Sequence, residues 1–249
     1  MNAALPTVAV LHSEWIKIRS ARAVLGSLLA VFATTVGVTA LTAGVVGTSQ
    51  PGALGEDRLL GAFFGITFGQ LAAVAFGATA FAGEFRGGAL RVSLTAVPHR
   101  TRLYLSKVVA VAGPAFVVGQ LTGLVTFSAG QAFMGEHALS LGDPGVIRAM
   151  FGSGVYLMLI ALLSAGLTAL ARSGTLALGL LIPFLLIVPF VVGQVAGGAG
   201  QFMPDRAGQA VLRIRAEGAL GPWTGLGVTG LWALVALSAG WLAVRRRDA

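Results

Sequence analysis

The side chains able to do acid, base or metal chemistry are few in this chain of 249 residues, and they are unevenly placed. Nine Asp and Glu, seventeen Lys and Arg and three His fall in short segments flanking long apolar blocks, and none lies well inside a block. The densest group runs from Glu84 to Lys107 and includes Arg86, Arg91, His99, Arg100 and Arg102. An enzyme acting in or on the bilayer needs an acid, base, nucleophile or metal held in mutual reach. His99 beside Arg100 and His137 beside Glu136 show no such partner set, and with His12 they are too scattered to suggest a metal centre. Cysteine is absent, which removes disulfides and thiolate ligands. No GxxxxGK[ST] sequence occurs, so the chain has no P-loop with which to hydrolyse a nucleotide. Catalytic, metal-binding and cofactor-binding residues are therefore not expected. Proton or ion coupling needs ionisable or coordinating groups at membrane depth, and Gln70, Gln120 and Gln194 with scattered Ser and Thr are the strongest polar groups there.

The elements that carry these residues follow from composition. With 56% hydrophobic and 10% charged residues and a mean hydropathy of +0.86, the chain cannot cover its surface with polar groups in water. Its apolar runs match the roughly 20 helical residues that cross a hydrocarbon core of about 30 Å. The expected fold is an all-α membrane protein, a single domain over 1–249 with six transmembrane helices near 24–46, 59–81, 108–133, 147–171, 175–196 and 223–244. Six spans put both termini on one side. That side holds twelve of the seventeen Lys and Arg: Lys17, Arg19, Arg22, Arg86, Arg91, Arg100, Arg102, Lys107, Arg172, Arg245, Arg246 and Arg247. The positive-inside rule makes it cytoplasmic. Basic residues flanking spans fit anionic headgroups, so the net charge of +8 does not call for nucleic acid.

Three pieces do not span. Residues 1–23 read as an interfacial helix, with Val8, Leu11, Trp15 and Ile18 on an apolar stripe, Trp15 as its anchor, and Glu14, Lys17 and Arg22 elsewhere. Between spans two and three, Phe85, Ala89, Val92 and Ala96 form one helical stripe and Glu84, Gly88, Arg91 and Thr95 the opposite one, until Pro98 stops the pattern. The alternation of Leu90, Val92 and Leu94 also fits a strand, but one whose edges would go unpaired. In the last loop, Arg206, Gln209, Arg213 and Glu217 share a face, which suggests a short helix or re-entrant hairpin with an Arg213–Glu217 pair. Gly61, Gly65 and Gly69, like Gly119 with Gly123 and Gly221 with Gly225, are spaced for close helix approach, either within the chain or across a subunit interface. Pro114, Pro183 and Pro189 fall inside spans, where they serve gating or static shape.

Two stretches resemble a known family. Glu84-Phe85-Arg86-Gly87-Gly88-Ala89-Leu90-Arg91, followed by Leu94, Pro98, His99-Arg100 and Lys107, resembles the E-[YF]-R-x-G-T start, the L-x-x-x-P-x-R run and the Lys before the next span of ABC-2 type transporter permeases. Ser13-Glu14-Trp15-Ile16-Lys17-Ile18-Arg19-Ser20 is similar to the S-E-W-x-K-x-R-[ST] opening of such permeases from high-GC bacteria. Ala89 stands where the family often has Thr. The resemblance implies a bacterial plasma-membrane exporter subunit with a coupling helix in the Glu84–Lys107 region, drawn from Glu84, Phe85, Arg86, Gly88, Arg91, Pro98, Arg100 and Lys107. It makes the N-terminal segment, with Glu14, Trp15, Lys17 and Arg19, the connecting helix. It also implies a second permease chain and two separate ATPase subunits, which bind ATP and Mg. The rival expectations are a membrane anchor that recruits an ATPase without net transport, as in immunity or signalling, and an ion-coupled secondary transporter.

Overall fold

The computed structural model describes residues 7–49, 57–85, 99–134, 138–215 and 218–246, together with Ala89, Ser93 and Thr95. Among the described residues the chain is all-helical, with α1 (Thr7–Ser20), α2 (Arg22–Ser49), α3 (Arg58–Ala62), α4 (Ile66–Ala82), α5 (Arg100–Gln131), α6 (Val146–Ala171), α7 (Gly174–Val195), α8 (Pro204–Gln209) and α9 (Pro222–Arg246). Single 3-10 turns cover Gly83–Phe85, Gly197–Phe202 and Ala210–Leu212. Six helices, α2, α4, α5, α6, α7 and α9, are long and apolar enough to cross a bilayer, and the chain is a multi-pass membrane protein. It has two ends: a terminal face, where α1 and the end of α9 lie, and the face opposite.

The helix α6 is the hub and packs on α4, α5 and α9, while α2 leans on α4 and α5 and α7 lies at the edge. The residues that let α6 be the hub have little or no side chain. Gly166 of α6 faces the Ala236 backbone, and Gly240 of α9 faces the Gly166 carbonyl, so the two helices meet backbone to backbone. The glycine ridges read from the sequence are used in the same way within the chain. A Cβ on Gly65 would stand 2.0 Å from the Thr35 carbonyl oxygen, and one on Gly69 would strike the Thr35 side chain. Gly119 meets Gly154, Gly123 meets Met150 and Ser153, and Gly225 meets the Ala207 carbonyl. Gly61 lies in α3.

Two spans differ from the expected bounds. The second is interrupted: α3 ends at Ala62, and α4 restarts at Ile66 after a turn whose Gly65 N–H donates to Thr39 Oγ1 at 3.0 Å. The third begins at Arg100 rather than near 108, which puts Lys107 seven residues inside α5, about 10 Å along its axis. Helices α5 and α7 run on through Pro114, Pro183 and Pro189. The outward face of α7 presents Leu176, Leu180, Ile187, Phe190 and Val195, all exposed as lipid-facing side chains should be.

The Gly65 contact sets a test. Gly65→Ala drives a methyl group into backbone, which has no rotamer to yield, and should cost more than the roughly 1–3 kcal/mol of ordinary overpacking. Gly26→Ala, where nothing lies within 4 Å, should change little. Thermal unfolding of both variants in detergent micelles compares them.

Candidate functional site

Four ionisable side chains from three separate segments meet at the terminal face. Glu14 and Lys17 lie one helical turn apart on α1, Glu84 lies in the 3-10 turn that ends α4, and Lys107 comes from the second turn of α5. Lys17 Nζ is 2.7 Å from Glu14 Oε1 and 2.9 Å from Glu84 Oε1. Lys107 Nζ is 3.0 Å from Glu14 Oε2 and 2.7 Å from Glu84 Oε1. The result is a closed ring of alternating sign in which every charge touches two of the opposite sign. Glu14, Glu84 and Lys107 are buried, whereas the Lys17 side chain is 44% exposed. Lys107 also lies 5.8 Å from the centroid of the Phe81 ring, a cation–π contact. Burial works against the Lys17 ammonium, but its hydrogen bonds to Glu14 and Glu84 outweigh that and hold its pKa above the ordinary lysine value.

The ring continues into the segment between spans two and three. Ser93 Oγ donates to Glu84 Oε2 at 2.9 Å, and Lys17 Nζ donates to Ser93 Oγ at 3.4 Å. Ala89, Ser93 and Thr95 are each helical, in keeping with the helical reading of that segment. A cavity of about 440 Å³ beside the ring is lined by Glu84, Ala89, Ser93 and Lys107 together with the apolar side chains of Ile18, Val24 and Val111.

The expected site residues are distributed as follows. Glu14, Lys17, Glu84 and Lys107 come together. Phe85 is half-buried against the apolar core. Arg100 Nη1 donates to the carbonyls of Val244 at 3.1 Å and Arg245 at 3.4 Å, capping the C-terminal end of α9 with a positive charge. Arg86, Gly88, Arg91 and Pro98 lie outside the described residues. Along α1, Val10, Glu14 and Ile18 face the protein, while Val8 and Trp15 of the expected apolar stripe are exposed, together with Ile16 and Arg19. Glu14 takes the inward position because Lys107 waits there as a counter-charge, which local periodicity cannot register.

A second polar locus occupies the opposite face. The last loop is not one continuous helix: α8 passes into the 3-10 turn Ala210–Leu212, and Arg213 is extended. Glu217, the expected partner of Arg213, lies outside the described residues. The segment dips into the bundle. Gly208 lies against the Tyr156 ring and Val211 against Gly152, and Tyr156 lies ten residues into α6, about 15 Å along its axis. The buried Tyr156 hydroxyl donates to Gln70 Oε1 of α4 and accepts from Gln209 Nε2 at 3.5 Å. Thr229 Oγ1 donates to the Pro204 carbonyl at 2.9 Å, and Trp232 Nε1 donates to that of Phe202 at 3.0 Å. Asp205 has a buried Oδ1 without a hydrogen-bond partner, and burial pushes its carboxyl up to about 6 against the opposing charge of Arg206. Tyr156 and Asp205 carried no signal in the sequence, since each gains its meaning from a residue far along the chain.

Compared with known proteins, the chain matches no family model and no curated protein.

Two measurements test these loci. Lys107→Met removes the buried cation where water cannot take its place and should cost on the order of 3–5 kcal/mol, whereas Lys17→Met opens the 44% exposed corner to water, which solvates the carboxylates left behind, and should cost clearly less. Thermal melts of the two variants measure the difference. For Asp205, the folded pKa lies above the ordinary carboxylate value, so its ionisation opposes folding, and the stability it allows at low pH is lost as pH rises from about 4 to about 6. Asp205→Asn should therefore melt higher than the parent protein at pH 7 and converge with it below pH 4.

Proposed function

We propose that this chain is the membrane-spanning permease subunit of an ATP-binding cassette exporter of ABC-2 type, and that the Glu14–Lys17–Glu84–Lys107 ring is the joint through which a separate ATPase moves the spans. The carrying observation is the ring itself. It welds the interfacial helix, the end of span two, the start of span three and, through Ser93, the intervening segment into one body. A force applied to the segment between spans two and three reaches two transmembrane helices directly, because shearing any corner of the ring would expose an uncompensated charge in a poorly hydrated place. The two stretches that resemble the ABC-2 permeases are the same two stretches that supply the ring and its attached segment, which gives the resemblance a physical reading.

In this proposal the chain lies in a bacterial plasma membrane with both termini cytoplasmic, so that the terminal face meets the ATPase. It binds no nucleotide itself; ATP and Mg belong to two partner ATPase subunits, and a second permease chain completes the substrate path. Binding and hydrolysis would shift the populations of inward- and outward-open arrangements. An ion-coupled mechanism fits the ring poorly: its four charges sum to zero, each is doubly partnered, and they lie at one end of the bundle rather than at its middle.

The test uses the chain coexpressed with a candidate ATP-binding cassette subunit and reconstituted in vesicles. Arg91→Glu, in the segment proposed to dock, should lower transport-coupled ATP hydrolysis at least fivefold while leaving membrane insertion unchanged. Lys17→Met, which loosens the ring, should keep the ATPase bound but reduce solute moved per ATP. Binding of an ATPase with every candidate solute left unmoved would favour the anchor reading. Uphill movement driven by an ionic gradient with no ATPase present would overturn the proposal.

A further inference from the structure

We propose that residues 202–214 form a lid over the end of the bundle opposite the termini, latched when seated by Asp57 and Arg148, which grip one peptide group from its two sides. Asp57 Oδ2 accepts the Ile214 N–H at 2.9 Å, and Arg148 Nη2 donates to the Arg213 carbonyl. That carbonyl and that N–H belong to the same trans peptide unit and point in opposite directions. Both partners are ionic groups, which makes these bonds stronger than neutral ones. Asp57 is the N-cap of α3 and Arg148 lies in the first turn of α6, so the latch ties the end of the lid to the starts of two spans. That the lid opens and closes stands on this geometry alone; its use as a gate for solute rests on the permease reading.

The segment behind the latch is built to move as one body. At its neck Gln201 Oε1 accepts the Ala219 N–H at 2.7 Å, so the chain leaves and returns at one place, as in an Ω-loop. Gly197 and Gly218 flank the neck with φ of +53° and +91°, values that glycine adopts without strain. The lid rests in notches left by missing side chains. Val211 occupies the space at Gly152 of α6, where a Cβ would stand 2.2 Å from its Cγ2, and the Ala207 carbonyl lies over Gly225 of α9. Its buried underside is Pro204, Ala207, Gly208, Val211 and Leu212, mostly small side chains, so lifting it uncovers little apolar area.

The seated lid also leaves two polar atoms unmet. Asp205 Oδ1, on the lid, and Arg148 Nε, in the latch, are buried with no hydrogen-bond partner. Each costs free energy while the lid is down, and lifting it admits water to both. Latch and notches therefore favour the seated position, and hydration of these two atoms favours the raised one, which brings the two states toward balance.

The chain contains no cysteine, so Val211→Cys, at a side chain fully buried under the seated lid, gives a single reporter of opening. Its rate of labelling by a water-soluble maleimide is measured on the full-length protein in detergent. Arg148→Gln should raise that rate at least fivefold. So should Asp57→Ser, which can still cap α3 but is too short to reach Ile214. Amide hydrogen exchange along α4 and α6 should stay unchanged in both. An unaltered labelling rate in the two latch variants, or a rise matched by faster exchange throughout α4 and α6, would sink the lid.

The gating role has its own readout. Gly152→Cys combined with Val211→Cys sets the two Cβ positions 3.1 Å apart, near the lower end, about 3.5 Å, of the disulfide range, so oxidation can lock the lid. In vesicles with the ATPase, the oxidised protein should move at least fivefold less solute than the reduced one while the ATPase stays bound. Equal transport in the two forms would remove the gate. A parent protein that moves no solute with any ATPase would remove the permease reading instead, and the labelling rates would still decide the lid.

Discussion

A carboxylate or an ammonium group taken out of water costs several kcal/mol unless opposite charge and hydrogen bonds compensate it, and this chain buries three such groups at one end of its bundle. Glu14, Glu84 and Lys107 are tolerable there only as members of a closed ring that Lys17 completes. The ring thereby fixes more than itself. The interfacial helix must present Glu14 inward, the second span must end in a turn that turns Glu84 toward it, and the third helix must start early enough to carry Lys107 to the same point.

Away from the ring, the bundle is held by close approach and by hydroxyl groups that spend their donors on nearby carbonyls. In lipid there is little hydrophobic gain from bringing two apolar helices together, so contact area and satisfied polar atoms decide the packing. Thr35 Oγ1 returns its proton to Val31, Ser164 Oγ gives its own to the Val74 carbonyl across a helix interface, and Tyr104 reaches the Leu237 carbonyl. The Ser27 and Thr79 hydroxyls pair with each other between α2 and α4. These contacts run through α2, α4, α5, α6 and α9, leaving α7 more loosely held at the edge.

The two ends of the molecule are built on different physics. One is a charge ring, rigid because any displacement uncovers a charge. The other is a wedge of short helical turns sunk against Tyr156, joined by uncharged hydrogen bonds and carrying a poorly solvated carboxyl at Asp205.

What the sequence determined alone is what the bilayer imposes locally: six apolar helices of crossing length, small residues where helices touch, and charges gathered toward the helix ends and the segments between them. Such features need only a residue's neighbours along the chain to be read. The site was legible in parts but not as a site. Glu14, Lys17, Glu84 and Lys107 stood out in their separate stretches, yet Glu14 and Lys107 meet across 93 positions, and periodicity carries no information about a partner that distant. Gln70 was visible as a polar residue in an apolar span, but only the tertiary fold set Tyr156 and the re-entrant Gln209 beside it. The chain fixed which groups must be compensated; the fold decided by what, because compensation acts through space.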